Sequence, residues 1–236
     1  MMESPERKLY LIPNLLADDT HSSVLPQQIS EIMANTRIFF VENVKTTRRF
    51  ISSLKLGIVI DSLTFIELDK YTTYEQLFPQ LYQLKENAGI ISEAGCPGIA
   101  DPGSLAVEIA HALNIKVIPL VGPSSILLAL MASGFSGQSF AFHGYLPIDK
   151  DERVKKLRLL EKDALAKKQT QLFIETPYRN NQMLESILKN LNPALKVCLA
   201  CNITAPDEFI KTKSIAEWKK GTLPDLHKKP CMFLLG

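Results

Sequence analysis

The sequence predicts an α/β protein, and three observations carry the prediction. Short apolar runs alternate with amphipathic segments of helical spacing. The runs "IFFV", "AGII" and "VIPL" are apolar throughout, as in parallel strands buried on both faces. Gly- and Pro-rich punctuation separates them, above all "ISEAGCPGIADPG", Ile91 to Gly103, where a strand-like run gives way to a helix-like one. A length of 236 residues suits one large domain or two small ones.

"KLYLIP" reads as the first strand. "PQQISEIMAN" is amphipathic with Pro near its start, and so a helix. "RIFFVEN" is a second strand, and "TTRRFISSL" a short helix with a Thr as candidate N-cap. "FIELD" fits no single element. "TYEQLFPQLYQLKEN" has helical spacing around Pro79, which should kink it or sit in its first turns. "AGIIS" is a strand, "SLAVEIAHALN" a helix ending at Asn114, and "IKVIPL" a strand.

"VGPSS", Val121 to Ser125, breaks the alternation and reads as a hinge. It divides the chain into an N-terminal α/β domain with a mostly parallel sheet, residues 1–120, and a C-terminal α/β domain with a mixed sheet, residues 121–236. "SILLALMASG" reads as a buried helix ending at Gly134, and "SFAFHGYLP" as a strand with a Gly loop. "ERVKKLRLLEKDALAKK" is a charged amphipathic helix. "TQLFIETP", "LKVCLACN", "EFIKT" and "PCMFLL" read as strands, "RNNQMLESILKNLN" and "SIAEWKKG" as helices.

Hydrophobic residues make up 46% and charged residues 22%, which argues for a packed core and against disorder. The formal charge of +2 is too small to argue for nucleic acid by itself, although Lys and Arg cluster at Arg153–Arg158 and His227–Lys229. The longest apolar run, "ILLALMA", is too short to span a bilayer. "MMESPERKLYLIP" lacks the apolar segment of a secretory signal, so a cytoplasmic protein is expected. In that setting Cys96, Cys198, Cys201 and Cys231 are expected as reduced, buried thiols. "CLAC" has C-x-x-C spacing, but no second Cys or His pair accompanies it, and no metal site is expected.

"EAGCPGIADPG" holds the candidate chemistry. In open α/β sheets ligands bind beyond the carboxyl ends of strands. Gly admits close backbone approach, and Pro fixes a loop without needing a hydrogen bond. The stretch is neither G-x-G-x-x-G nor a P-loop. It fits a cofactor-presenting loop and a tight strand-to-helix turn equally well.

The run "GIISEAGCPGIADPGSLAVEIAHALNIKVIPLVGPSSILLALMASGF" resembles the tetrapyrrole methylase family of S-adenosylmethionine-dependent methyltransferases. Within that family it is most similar to the branch that 2′-O-methylates a cytidine of small-subunit ribosomal RNA. "FHGYLP", "FIETPYR" and "FFVENVKTTRRFI" resemble further family segments, so the likeness covers nearly the whole chain. The resemblance implies two α/β domains with the cofactor in a cleft between them. It implies S-adenosylmethionine against Pro13, Glu93, Ala94, Gly95, Cys96, Pro97, Ser124, Ser125 and Tyr145. It also implies a homodimer and ribosomal RNA or the small ribosomal subunit as partner.

The chain departs from the family at several places. The Gly of "P-x-G-N-L-x-D" is missing from "IPNLLADD", although Pro13-Asn14-Leu15 keeps part of that pattern. The Asp of "DTR" becomes Asn43, "R-E-[LI]-T-K" becomes "CNIT", and "K-G-E" becomes "KKPC". These losses fall on the substrate side more than on the cofactor loop.

Methyl transfer from a sulfonium needs placement and exclusion of water, and a ribose hydroxyl also needs a route for its proton. Glu42, Glu175 and Arg179 are the candidate catalytic residues. Glu175 and Arg179 also fit a surface ion pair at i,i+4, and Ser124 and Ser125 also fit plain helix capping. Arg153, Lys155, Lys156 and Arg158 suit either RNA phosphates or a solvated helix face. Two other readings stay open. One is a methyltransferase of the same fold acting on a tetrapyrrole-type small molecule. The other is a cofactor-binding member without catalysis.

Overall fold

The computed structural model describes residues 7–236. The first part of the segment read above for a secretory signal therefore lies outside the described residues. The chain divides into two compact units, Met1–Ser124 and Ser125–Gly236.

The first unit runs β1 (Lys8–Ile12), α1 (His21–Val24), α2 (Gln27–Asn35), β2 (Ile38–Val41), α3 (Val44–Ser53), β3 (Thr64–Glu67), α4 (Tyr74–Tyr82), β4 (Ala88–Ile91), α5 (Gly103–Ala112) and β5 (Lys116–Pro119). Its strands form one sheet in the order β3-β2-β4-β1-β5, and every pairing is parallel. The apolar runs are explained by burial on both faces. Phe40 joins Leu77 and Leu81 of α4 and Ala106 and Ile109 of α5 in one cluster. Its neighbours Phe39 and Val41 join Ile29 and Met33 of α2 and Phe50 and Ile51 of α3 in another. Successive side chains of a strand point to opposite faces, so one strand feeds two cores. Each such fully buried side chain contributes roughly 1.5–3 kcal/mol.

The second unit runs α6 (Ser125–Ser133), β6 (Phe140–Tyr145), α7 (Lys150–Lys167), β7 (Thr170–Ile174), α8 (Asn180–Asn190), β8 (Lys196–Cys201), β9 (Phe209–Ser214), α9 (Ile215–Lys220) and β10 (Cys231–Leu235). The sheet order is β6-β7-β10-β8-β9, with β6 and β7 parallel and the remaining pairs antiparallel. Every residue of β10, the central strand, is buried. Phe173 and Phe233 stack with ring centroids 5.5 Å apart, and the Trp218 indole donates to the Val197 carbonyl at 3.0 Å.

Several sequence expectations are corrected. "FIELD" supplies strand β3, at the edge of the first sheet. The N-cap of α3 is Asn43, whose side chain accepts from the Lys45 and Thr46 amides, and not a Thr. Pro79 lies well inside α4, which ends at Tyr82, short of the sequence reading. The apolar α6 is only partly buried. It packs through Ala129, Leu130 and Ser133 against β8, β9 and β10, and leaves Leu127 51% and Met131 78% exposed.

The four cysteines are not all reduced thiols. Cys201 and Cys231 form a disulfide, while Cys96 and Cys198 are free. The antiparallel register sets Cys201 directly opposite Cys231 across β8 and β10. A pairing across 30 residues follows from strand register, which C-x-x-C spacing does not reveal.

Candidate functional site

The strand order puts a crevice beside the Gly-rich loop. From β2 the chain leads outward to β3, and from its neighbour β4 it leads the other way, to β5. Connections diverging from adjacent parallel strands leave an opening beyond their carboxyl ends, where ligands bind. Glu42 follows β2, and Ser92 and Glu93 follow β4. The two meet there: the Glu42 carboxylate accepts the Glu93 amide at 2.7 Å. Glu93 in turn accepts from the Thr46 hydroxyl at 2.7 Å. Burial raises the Glu42 carboxyl above its ordinary pKa. The Glu93 amide opposes that rise, and the charges of Asp101 and Glu93 add to it.

Two residues hold the loop in shape. Asn14, buried just beyond β1, forms a two-residue bridge with Gly95: each amide donates to the other residue's carbonyl, at 2.9 and 3.2 Å. Its side-chain amide donates to the Ser92 and Glu93 carbonyls at 2.9 and 3.1 Å. Asp101 closes the far half of the loop, accepting from the Gly98 amide at 2.9 Å and the Gly103 amide at 2.7 Å. Gly95, Gly98 and Ala100 all have positive φ, at 69°, 81° and 62°. For Ala100 that region is costly, and such conformations persist only where surrounding bonds enforce them.

The loop offers free donors. Among the described residues, the Ala94 and Cys96 amides have no hydrogen-bond acceptor, and Glu93 and Ala94 are exposed. At Gly98 an added Cβ would meet nothing within 4 Å. Unpaired amides on a stiff loop fit a cofactor held through backbone. Gly95 behaves differently. A Cβ there would point at Leu16 and the Pro123 carbonyl, both at 3.4 Å, and not into open space.

The remaining expected cofactor residues take distinct places. Pro13 is buried, and its ring fills the space a Cβ on Gly122 would need, at 2.3 Å. Cys96 is half-buried with its thiol directed at the Gly122 and Pro123 carbonyls, and burial raises its pKa. Pro97 is buried. Ser125 opens α6, and Ser124 directly precedes it. Tyr145 ends β6 and is exposed.

Glu175 and Arg179 are not a surface pair. Glu175 directly follows β7 and is 4% exposed. One carboxylate oxygen accepts from Arg179 Nη2 at 2.7 Å, Arg179 Nε at 3.1 Å and the Thr176 amide at 2.6 Å. The other has no partner among the described residues. Glu175 therefore acts as a buried anchor that fixes Arg179, itself partly exposed. The basic run of α7 also changes meaning. Arg153 is buried and donates to the Ile148 carbonyl at 3.0 Å, and Lys155 pairs with Glu152 on the same helix. Of the four cations, Lys156 and Arg158 have no such partner among the described residues.

Nothing in the sequence singles out Asn14, within "PNL", or Asp101, within "ADPG", as site residues beyond their neighbours. An Asp two residues before Gly at a helix start is a capping signal. Among the described residues, no group of three or more His, Cys, Asp or Glu could hold a metal ion, and no helix is long and apolar enough to cross a membrane.

Residues 23–219 match the family model described as Tetrapyrrole (Corrin/Porphyrin) Methylases. The chain is 30% identical over 218 residues to a protein named ribosomal RNA small subunit methyltransferase I from Buchnera aphidicola, covering 90% of this chain and 72% of that one. It is 30% identical over 213 residues to the protein of the same name from Vibrio cholerae, covering 89% and 69%. Among solved structures it is similar to the methyltransferase CobJ, with a TM-score of 0.62, 15% identity, and coverage of 97% and 92%. It is also similar to uroporphyrin-III C-methyltransferase from Thermus thermophilus complexed with S-adenosyl homocysteine, with a TM-score of 0.53, 14% identity and 97% of each chain covered. At these identities the structural likeness concerns the fold.

Proposed function

The chain belongs to the tetrapyrrole methylase family, and on that premise we propose that it moves a methyl group from S-adenosylmethionine to a ribose hydroxyl of small-subunit ribosomal RNA. The observation carrying the choice of acceptor is the likeness, over nine-tenths of the chain, to proteins named for small-subunit ribosomal RNA. The solved tetrapyrrole enzymes, at 15% identity and below, carry no argument about the acceptor.

S-adenosylmethionine supplies an activated methyl group. In this reading the loop Glu93–Pro97 holds it through backbone, with the unpaired Ala94 and Cys96 amides as donors and Asn14 and Asp101 keeping the loop stiff. Ser124 and Ser125 serve the carboxylate end, and Pro13 and Tyr145 complete the set. Glu42 takes the ribose proton, because burial has made its carboxylate a stronger base than an exposed one. Arg179 orients the acceptor, and Glu175 positions Arg179. The protein works in the cytoplasm as a homodimer, and the exposed Leu127 and Met131 of α6 give apolar surface for a second copy to cover. Light scattering tests the dimer.

Calorimetry with S-adenosylhomocysteine tests the cofactor loop. Ala94→Trp places bulk on an exposed position and should weaken binding at least ~10-fold, the scale of overpacking in a formed site. Gly95→Val is a poorer variant, because positive φ and the Leu16 contact would strain the loop without any ligand. Unchanged affinity in Ala94→Trp would remove this loop from the cofactor site.

A further inference from the structure

We propose that Tyr178 is a stacking platform for an unpaired base of the RNA acceptor, flanked by phosphate contacts from Arg179, Lys228 and Lys229. The inference rests on the ribosomal RNA reading above.

The second sheet gathers its irregular segments at one end. Register places Tyr145 beside Ile174, Met232 opposite Ile174, and Cys201 opposite both Cys231 and Phe209. The loops after β6, β7 and β8 and the segment entering β10 therefore share that end. Tyr178 lies there, 69% exposed. His227 stands edge-on to it, with ring centroids 5.8 Å apart at 72°.

The platform is fixed. Four hydrogen bonds tie the β7–α8 loop and the first residues of α8 to the segment before β10, one of them from the Asn181 side chain to Asp225 at 2.8 Å. The Lys228 amide donates to the Pro177 carbonyl at 3.0 Å. The Asn180 side chain donates to the Lys229 carbonyl at 2.7 Å, and the Leu226 amide donates to the Asn181 side chain at 2.9 Å. Asn180 is fully buried. An exposed ring held this way binds a planar partner without first being ordered.

Charge selects the partner. Arg179 spends Nε and Nη2 on Glu175 and keeps Nη1 without a partner among the described residues. Lys228 and Lys229 add two cations. Asp225 is an acid beside them, already engaged by the Asn181 side chain and the His227 amide. An aromatic face among cations fits single-stranded nucleic acid, where the base stacks and the phosphates meet Lys and Arg. A duplex keeps its bases stacked on each other, so the occupant is an unpaired stretch.

The test is the KM for unmodified small ribosomal subunits in methyl transfer from labelled S-adenosylmethionine. Tyr178→Ala should raise KM about 10-fold, Tyr178→Leu should do the same, and Tyr178→Phe should leave it within about 2-fold. The double variant Lys228→Gln, Lys229→Gln should flatten the salt dependence of KM. S-adenosylhomocysteine affinity should be unchanged in all of them. A wild type that methylates subunits while Tyr178→Ala keeps its KM, or while Leu serves as well as Tyr, would overturn the platform and leave the acceptor standing. A wild type that methylates no subunit would overturn the acceptor, and the platform with it.

Discussion

Glu42 shows how one residue's environment decides its chemistry. Its pKa is raised, chiefly by burial, so folding favours the protonated form. The stability it contributes is fully present below the ordinary carboxylate range and is lost as pH rises through the raised value. Above that value the protein carries an ionised Glu42 at some cost, partly offset by the Glu93 amide. Glu42→Gln keeps an acceptor for that amide and removes the charge. Its melting temperature at neutral pH should be no lower than that of wild type, whereas kcat should fall by ~10²-fold or more through loss of a proton acceptor. A full kcat in the folded variant would remove Glu42 from the mechanism. Asn14→Ala makes a different prediction. It strips a donor from the buried Ser92 carbonyl, at a cost of about 1–3 kcal/mol, and another from the part-buried Glu93 carbonyl. Thermal melting should show the loss, and S-adenosylhomocysteine should bind more weakly because the loop is no longer held. The Gly and Pro content of residues 91–103 made the loop legible from sequence. The clamps were not, because Asn14 acts across a strand gap on residues some 78 positions away.

At the scale of elements, hydrophobic period carried most of the reading. It succeeded where burial is two-sided, as in β2, β4 and β10, and where a helix has one clear apolar face, as in α2. It failed where tertiary context decides. The edge strand β3 has no fully buried residue, so "FIELD" has no clean pattern. The uniformly apolar α6 gives no periodicity to show which side faces the sheet, and Leu127, Met131 and Ala132 are left to solvent. Arg153 looked like part of a solvated basic face but folds back onto the Ile148 carbonyl. Caps were less legible: the observed cap Asn43 lies three residues before Thr46, the nearer Thr of "TTRRFISSL". Asn43→Ala should cost about 1 kcal/mol in denaturant unfolding, because the Lys45 and Thr46 amides lose their acceptor. Pro79→Ala should raise the melting temperature. Pro79 is exposed, sits inside α4 and withholds the hydrogen bond that Glu75 would receive four residues earlier. A lower melting temperature would mean that the ring itself is needed for packing.

At the scale of the whole molecule, the α/β class and the alternation of strands and helices were readable. The cross-strand disulfide was not, because it depends on which strands of the second sheet pair. Thiol titration of the unfolded, unreduced protein should find two reactive groups, Cys96 and Cys198, and four after reduction. Four before reduction would contradict the disulfide. The central claim is that a cofactor loop on the first sheet serves methylation of a ribose in small-subunit ribosomal RNA. The most direct measurement incubates the protein with methyl-labelled S-adenosylmethionine and unmodified small ribosomal subunits, then hydrolyses the RNA in alkali. A 2′-O-methyl group removes the hydroxyl that alkaline cleavage requires. The account predicts label in a single alkali-resistant dinucleotide, with stoichiometry approaching one methyl per subunit. Label on a base, or label passing to a tetrapyrrole while the ribosomal subunit stays unlabelled, would contradict it.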